Sequence, residues 1–120
     1  ALVLTPRFSP TEPVITYLGY YNNRPRVYTL HIDTGRVQVL GDFPGMTFAP
    51  RFSPDGRKVI FSYVQAGNTD IYTMDLGSRQ LTRLTTDPGI DTSADYSPDG
   101  SKIVFNSDRG GTQQLYVMSA

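Results

Sequence analysis

A short motif recurs three times in a single register. Arg7-Phe8-Ser9-Pro10, Arg51-Phe52-Ser53-Pro54 and Asp95-Tyr96-Ser97-Pro98 begin 44 residues apart. Tyr28-Thr29-Leu30, Tyr72-Thr73-Met74 and Tyr116-Val117-Met118 keep the same spacing, so neither interval carries an insertion. A period of this length in a chain without helical periodicity predicts an all-β fold. Its repeating unit is a blade of four short antiparallel strands, stacked radially as in a β-propeller.

One repeat reads as follows. Pro50-Arg51-Phe52 forms an inner strand that runs into Ser53-Pro54-Asp55-Gly56, where proline presets φ and glycine takes a positive φ. Lys58 to Tyr63 is a second strand, rich in β-branched and aromatic residues, and Lys102 to Phe105 matches it. Its unbroken apolar run predicts that both faces are covered. Turns at Ala66-Gly67-Asn68 and Arg109-Gly110-Gly111 precede third strands at Asp70 to Met74 and Gln114 to Met118, with Tyr72 and Met74 on one face. Outer strands at Arg36 to Leu40 and Gln80 to Leu84 alternate apolar with polar residues, as strands with one face in water do. The small residues at Thr5-Pro6, Ala49-Pro50 and Ser93-Ala94 fit the crowded convergence of inner strands around a central channel. In the first repeat Thr11-Glu12-Pro13 replaces the Asp-Gly turn, and without glycine a looser turn is expected there.

This reading gives blade 1 over about 3–46, blade 2 over about 47–90 and an incomplete blade 3 over about 91–120, or eleven strands. Closed propellers use about four to eight blades, so the chain is expected to be a piece of a longer one. The absent twelfth strand argues against a ring built from two copies.

Eleven basic and eleven acidic side chains leave no net charge, which disfavours nucleic acid and anionic lipid as partners. No apolar run approaches the roughly 18 to 20 residues of a spanning helix, and Ala1 to Leu4 is too short for a signal-peptide core, so no membrane insertion is expected. The chain has no cysteine, so a disulfide framework and cysteine-ligated zinc are excluded.

The unit Pro-x-Phe-Ser-Pro-Asp-Gly-x-Lys, followed by Ile/Leu-Tyr-x-Met, resembles the propeller repeat of the TolB family. So do the connecting segments Thr5 to Glu12, Gly41 to Pro50 and Asp108 to Gly111, which are more specific than the blade unit. The resemblance covers essentially the whole chain. It implies a six-bladed propeller preceded by a small α/β domain and a cleaved signal peptide, hence periplasmic localisation. It also implies a non-enzymatic scaffold of the Tol-Pal system, serving envelope integrity and division. One mouth of its channel would bind the lipoprotein Pal, and the TolA contact would lie outside this chain. By the family pattern Ala49 and Thr92 match rim positions of that mouth, while Met46 and Ser93 stand where a His and a Glu are expected. The rim implied here is therefore more apolar.

The residues suit partner recognition on physical grounds too. Met46, Thr47 and Phe48 form an apolar tip after Gly45, and Asp91, Thr92 and Ser93 offer a carboxylate and two hydroxyls at the matching position. With Ala49 these are the candidate partner-binding residues. The bland alternative packs Met46 and Phe48 between blades and leaves Thr92 and Ser93 as strand caps.

No catalytic constellation is legible. The one histidine, His31, ends a third strand where the other repeats hold Asp75 and Ser119, and is expected to be solvated. There is no Gly-x-Ser-x-Gly elbow, no glycine-rich loop opening a helix, and no residue set for a metal or other cofactor. Asp87, Asp91, Asp95 and Asp99 recur every four residues but match no calcium loop, and turn formation accounts for Asp87 and Asp99. Arg7 and Arg51, equivalent to Asp95, are expected to bridge ionically between blades beside the channel. Two further functions compete with the scaffold. One is a substrate-gating propeller of a prolyl-oligopeptidase-like peptidase, which needs a hydrolase domain elsewhere in the polypeptide. The other is self-association through the apolar faces of the terminal blades.

Overall fold

In a computed structural model, which describes residues 2–120, eleven strands form three antiparallel sheets. Blade 1 has the order β1 (Leu2–Phe8), β2 (Val14–Tyr21), β3 (Arg24–His31), β4 (Val37–Val39). Blade 2 repeats it with β5 (Thr47–Phe52), β6 (Lys58–Gln65), β7 (Asn68–Asp75) and β8 (Leu81–Arg83). Blade 3 holds β9 (Asp91–Tyr96), β10 (Lys102–Ser107) and β11 (Gln114–Ser119). The inner strands β1, β5 and β9 lie side by side, as expected of a channel lining. Ala1, read as preceding the first inner strand, lies outside the described residues.

Two apolar layers hold the blades together, and the period of the strands decides which residue joins which layer. From β6, Val59, Phe61 and Tyr63 point toward blade 1, where they meet Val14, Val27 and Leu40. Ile60, one residue out of phase, joins Ile71, Ala94, Ile103 and Phe105 between blades 2 and 3. Tyr72 and Met74 share the blade 1 side, as their spacing predicts. Four rings here form a closed cluster, with Phe43 stacked on Phe61 and Phe61 on Tyr72 at 6.2 and 6.4 Å, while Tyr63 meets Tyr72 edge-on at 5.1 Å and Phe43 at 5.0 Å.

The expectation that the second strand is covered on both faces holds for β6 but not for β10. Ile103 and Phe105 are buried against blade 2, whereas Val104 faces away from it and is exposed. The same holds at both ends of the array. Phe8 is 76% exposed although its equivalent Phe52 is only 9% exposed, and Leu115 is 73% exposed where its equivalent Ile71 is fully buried. A propeller strand is covered by its neighbours and not by its own sheet, so equal sequence does not give equal burial.

The turns after the inner strands follow their sequences. In blade 2 the Ser53 hydroxyl accepts the Lys58 N–H and donates to Asp55 Oδ1 at 2.7 Å, and Gly56 closes the turn at a φ of 71°. In blade 3 Ser97 and Gly100 repeat this, and Asp99 accepts the Ser101 N–H and the hydroxyls of Ser101 and Ser97. Those bonds stabilise the carboxylate and pull its pKa down to about 2. Blade 1 lacks the glycine, and its Ser9 hydroxyl instead accepts the N–H groups of Thr11 and Glu12 in an irregular bend.

Candidate functional site

The segments 46–49 and 91–93 are not free loops. All but Met46 belong to β5 and β9, at the strand ends that pair with the last residues of β6 and β10. What sets them apart is a bulge that recurs in all three inner strands. Thr5, Ala49 and Ser93, spaced 44 residues apart, have φ of 50°, 53° and 58°. The pairing register slips at each of them, between Leu4 and Arg7, between Phe48 and Arg51, and opposite Val104 and Asn106. None is glycine, so each bulge costs about 1–2 kcal/mol of backbone energy. The proline at Pro50 is fully buried just beyond. The small residues noted in the sequence are thus explained by a left-handed bulge that re-aims the start of each inner strand, in addition to crowding.

The bulge sorts the seven candidate residues. Met46 is 44% exposed, Phe48, Ala49 and Thr92 are half-buried, and Ser93 is exposed. Neither Met46 nor Phe48 belongs to an apolar layer between blades. Thr47 and Asp91 behave otherwise, which corrects the expectation that they present side chains to a partner. Both are fully buried. The Thr47 hydroxyl accepts the Val27 N–H at 2.9 Å and ties β5 to blade 1. Asp91 Oδ2 accepts from Arg109 Nη2 at 3.2 Å, and Arg109 also donates from Nε to the Ser107 hydroxyl at 3.0 Å. The guanidinium lies 5.2 and 5.0 Å from the ring centres of Phe105 and Tyr116. Asp91 is thus the clamp that holds the 91–93 segment to blade 3.

Sequence reasoning missed Arg109. A signal was present: the 44-residue register places Asp91 where the other repeats have Val3 and Thr47, and a carboxylate at a buried position needs a counter-ion. A second missed pair, Asp70 with Arg83 at 2.6 Å, is joined by Thr85, whose hydroxyl donates to Asp70 Oδ1 and accepts the Ile71 N–H.

These two are the ion pairs among the described residues, so the expected inter-blade bridges of Arg7 and Arg51 do not form. Each arginine instead donates Nη1 to the carbonyl of the preceding proline, at 3.0 and 3.1 Å. Burial and the repulsion of Arg7 lower the pKa of Arg51, and Asp95 opposes them from beyond ion-pair distance. His31 is also not the fully solvated residue expected, because its Nδ1 is buried without a partner. The aspartate ladder resolves into separate roles. Asp87 accepts the Gly89 N–H, Asp91 holds Arg109, Asp95 accepts the N–H of Tyr96, and Asp99 closes its turn. Among the described residues no group of three or more histidine, cysteine or acidic side chains is placed to hold a metal ion. No helix there is long and apolar enough to cross a membrane.

Gly45 fixes the approach to the apolar part of the rim. A Cβ at this position would collide with the Val64 carbonyl oxygen, next to the bond from the Val64 N–H to the Met46 carbonyl at 2.9 Å. Because the obstacle is backbone, Gly45→Ala is expected to cost about 1–3 kcal/mol and to displace Met46. The denaturation midpoint of the propeller checks the first effect, and the chemical shift of the Met46 methyl group checks the second.

The family model described as the TolB beta propeller domain matches residues 1–120. The chain belongs to the TolB β-propeller family. The Tol-Pal system protein TolB of Pelagibacter ubique is 69% identical over 48 residues, covering 40% of this chain and 11% of that protein. The crystal structure of TolB from Acinetobacter baumannii superposes with a TM-score of 0.89 at 42% identity, covering 98% of this chain and 30% of that one. The chain therefore spans well under half the length of these TolB relatives. The β-propeller domain of the Trilobed protease from Pyrococcus furiosus, at 15% identity and a TM-score of 0.76, covers 98% of this chain and 38% of that one. At that identity the likeness is one of fold alone.

Proposed function

We propose that this TolB-family chain is a portion of the β-propeller of a periplasmic, non-enzymatic scaffold of the Tol-Pal system, and that it binds a Pal-like lipoprotein. The binding surface is the rim formed by Met46, Phe48, Ala49, Thr92 and Ser93. The observation that carries this reading is the paired bulge at Ala49 and Ser93. It brings an apolar tip and a hydroxyl-bearing strand end to the same end of two neighbouring blades, outside the layers that hold the blades together. Burial of Thr47 and Asp91 beneath them supplies a rigid base, which lowers the ordering cost of association. The rest of the propeller covers the exposed faces at Phe8 and Leu115. A peptidase-gating role has weaker support, since the peptidase relatives share the fold at low identity.

The test is a binding titration of the intact propeller-containing protein with the soluble domain of a Pal-like lipoprotein. Met46→Arg and Thr92→Arg place a long cation in the rim without disturbing a buried contact, and each is expected to weaken binding by about tenfold or more. Undiminished affinity in both variants, with wild-type binding intact, overturns the placement.

A further inference from the structure

At the opposite end of the strands from the rim, a cavity of about 360 Å³ opens between blades 1 and 2. Its sides come from the turns that follow β1, β3, β5 and β7. Val14, Phe52 and Leu76 give it an apolar wall, and His31, Arg36 and Arg79 stand around that wall. Glu12 is the one acidic side chain lining it. Arg36, Arg79 and Glu12 form no ion pair among the described residues. Arg79 reaches only Gln38 Oε1, at 3.5 Å, across the cleft from blade 2 to blade 1. His31 lines the cleft, while its Nδ1 is buried and has no hydrogen-bond partner among the described residues.

The equivalent cleft between blades 2 and 3 supplies an internal contrast. It is lined by Asp55, Asp99 and Lys58, and the register puts Asp75 in the place of His31. The register also puts Gln80 in the place of Arg36, so the basic character of these two positions belongs to the first cleft and not to the repeat.

We propose that the cleft between blades 1 and 2 binds a carboxylate carried on a short apolar body. The two guanidinium groups take the carboxylate, whose geometry they match, and the wall of Val14, Phe52 and Leu76 takes the apolar part. His31 borders the same ligand and so reports its arrival. The volume is at the lower end of the roughly 300–1,000 Å³ typical of small-molecule sites and suits one acylated amino acid, as at the C-terminus of a peptide. This site is separate from the rim and does not depend on the lipoprotein reading.

The experiment is an NMR titration of the intact propeller-containing protein, following the His31 imidazole resonances, assigned by their loss in His31→Gln. N-acetyl-leucine is the probe, with N-acetyl-leucinamide and inorganic phosphate as controls. A saturable shift with N-acetyl-leucine, little response to the amide, and weaker binding of phosphate are expected. Arg79 sits at a φ of 63°, which asparagine tolerates, so Arg79→Asn removes the charge and keeps the turn. It is expected to weaken N-acetyl-leucine binding at least about tenfold while the protein remains folded. No shift, equal responses to acid and amide, phosphate binding as tight as N-acetyl-leucine, or unchanged affinity in a folded Arg79→Asn protein would each overturn the proposal.

Discussion

Arg109→Met is expected to destabilise the propeller by about 3 kcal/mol, more than any other single change at its surface. The arginine side chain is partly exposed, but its partner Asp91 is fully buried and accepts from it at 3.2 Å. Among the described residues the other oxygen of Asp91 has no hydrogen-bond partner, and the guanidinium is the carboxylate's one charged contact. Methionine keeps much of the contact with Phe105 and Tyr116 and removes the charge, which separates electrostatics from packing. Adding Asp91→Asn to Arg109→Met is expected to recover part of the loss, because a neutral amide is cheaper to bury than an unpaired carboxylate. A double-mutant cycle on denaturation midpoints reads the coupling. A loss under about 1 kcal/mol would mean that the pair behaves as a solvated surface bridge. Since Asp91 opens the 91–93 segment, the same variant is expected to weaken partner binding at the rim as well.

Phe61→Ala is the second change of large expected effect, with a loss of about 3–5 kcal/mol. Phe61 is wholly buried between blades 1 and 2, where its ring stacks on Phe43 on one side and Tyr72 on the other. Strand pairing holds Tyr72 beside it, and the Phe43 ring also packs on Tyr63 at 5.0 Å, so neither neighbour is free to collapse into the space the ring leaves. Phe61→Leu retains most of the volume and is expected to cost less than half as much. If the two variants had equal midpoints, the ring would not be a packing element between blades. The change acts on the contact between two sheets and leaves the strand pairing within each sheet alone, so it tests directly whether blade-on-blade burial stabilises this fold.

Strand count, strand order within each blade and the identity of the layer residues were legible in the sequence, because each depends on local periodicity. Alternation in β6 assigns Val59, Phe61 and Tyr63 to one face and Ile60 to the other, and the 44-residue register carries that assignment to the other blades. Turn chemistry was equally local. Gly56 and Gly100 adopt the positive φ their turns need, and the loss of this glycine in blade 1 gives the irregular bend at Thr11 and Glu12. The exposure of Met46 and Ser93 was legible for the same reason, since both follow from where connections enter inner strands.

Burial and pairing across blades were not legible, because they depend on which residues approach from other parts of the chain. Periodicity cannot distinguish Asp91, buried beneath Arg109, from Ser93, exposed two residues later beyond a bulge. Nor can it show that Arg7 and Arg51 satisfy themselves on neighbouring carbonyls and not on Asp95. The cleft around His31 has the same origin, with His31 and Arg36 from one blade and Arg79 from the next, more than 40 residues away. The sequence by itself determined a repeating β architecture and the family to which it belongs, since a period of 44 residues and its turns are written locally. Only the tertiary structure decided which charged and polar side chains are buried, paired or left open, because the electrostatic and desolvation energies that govern them are set by neighbours in space.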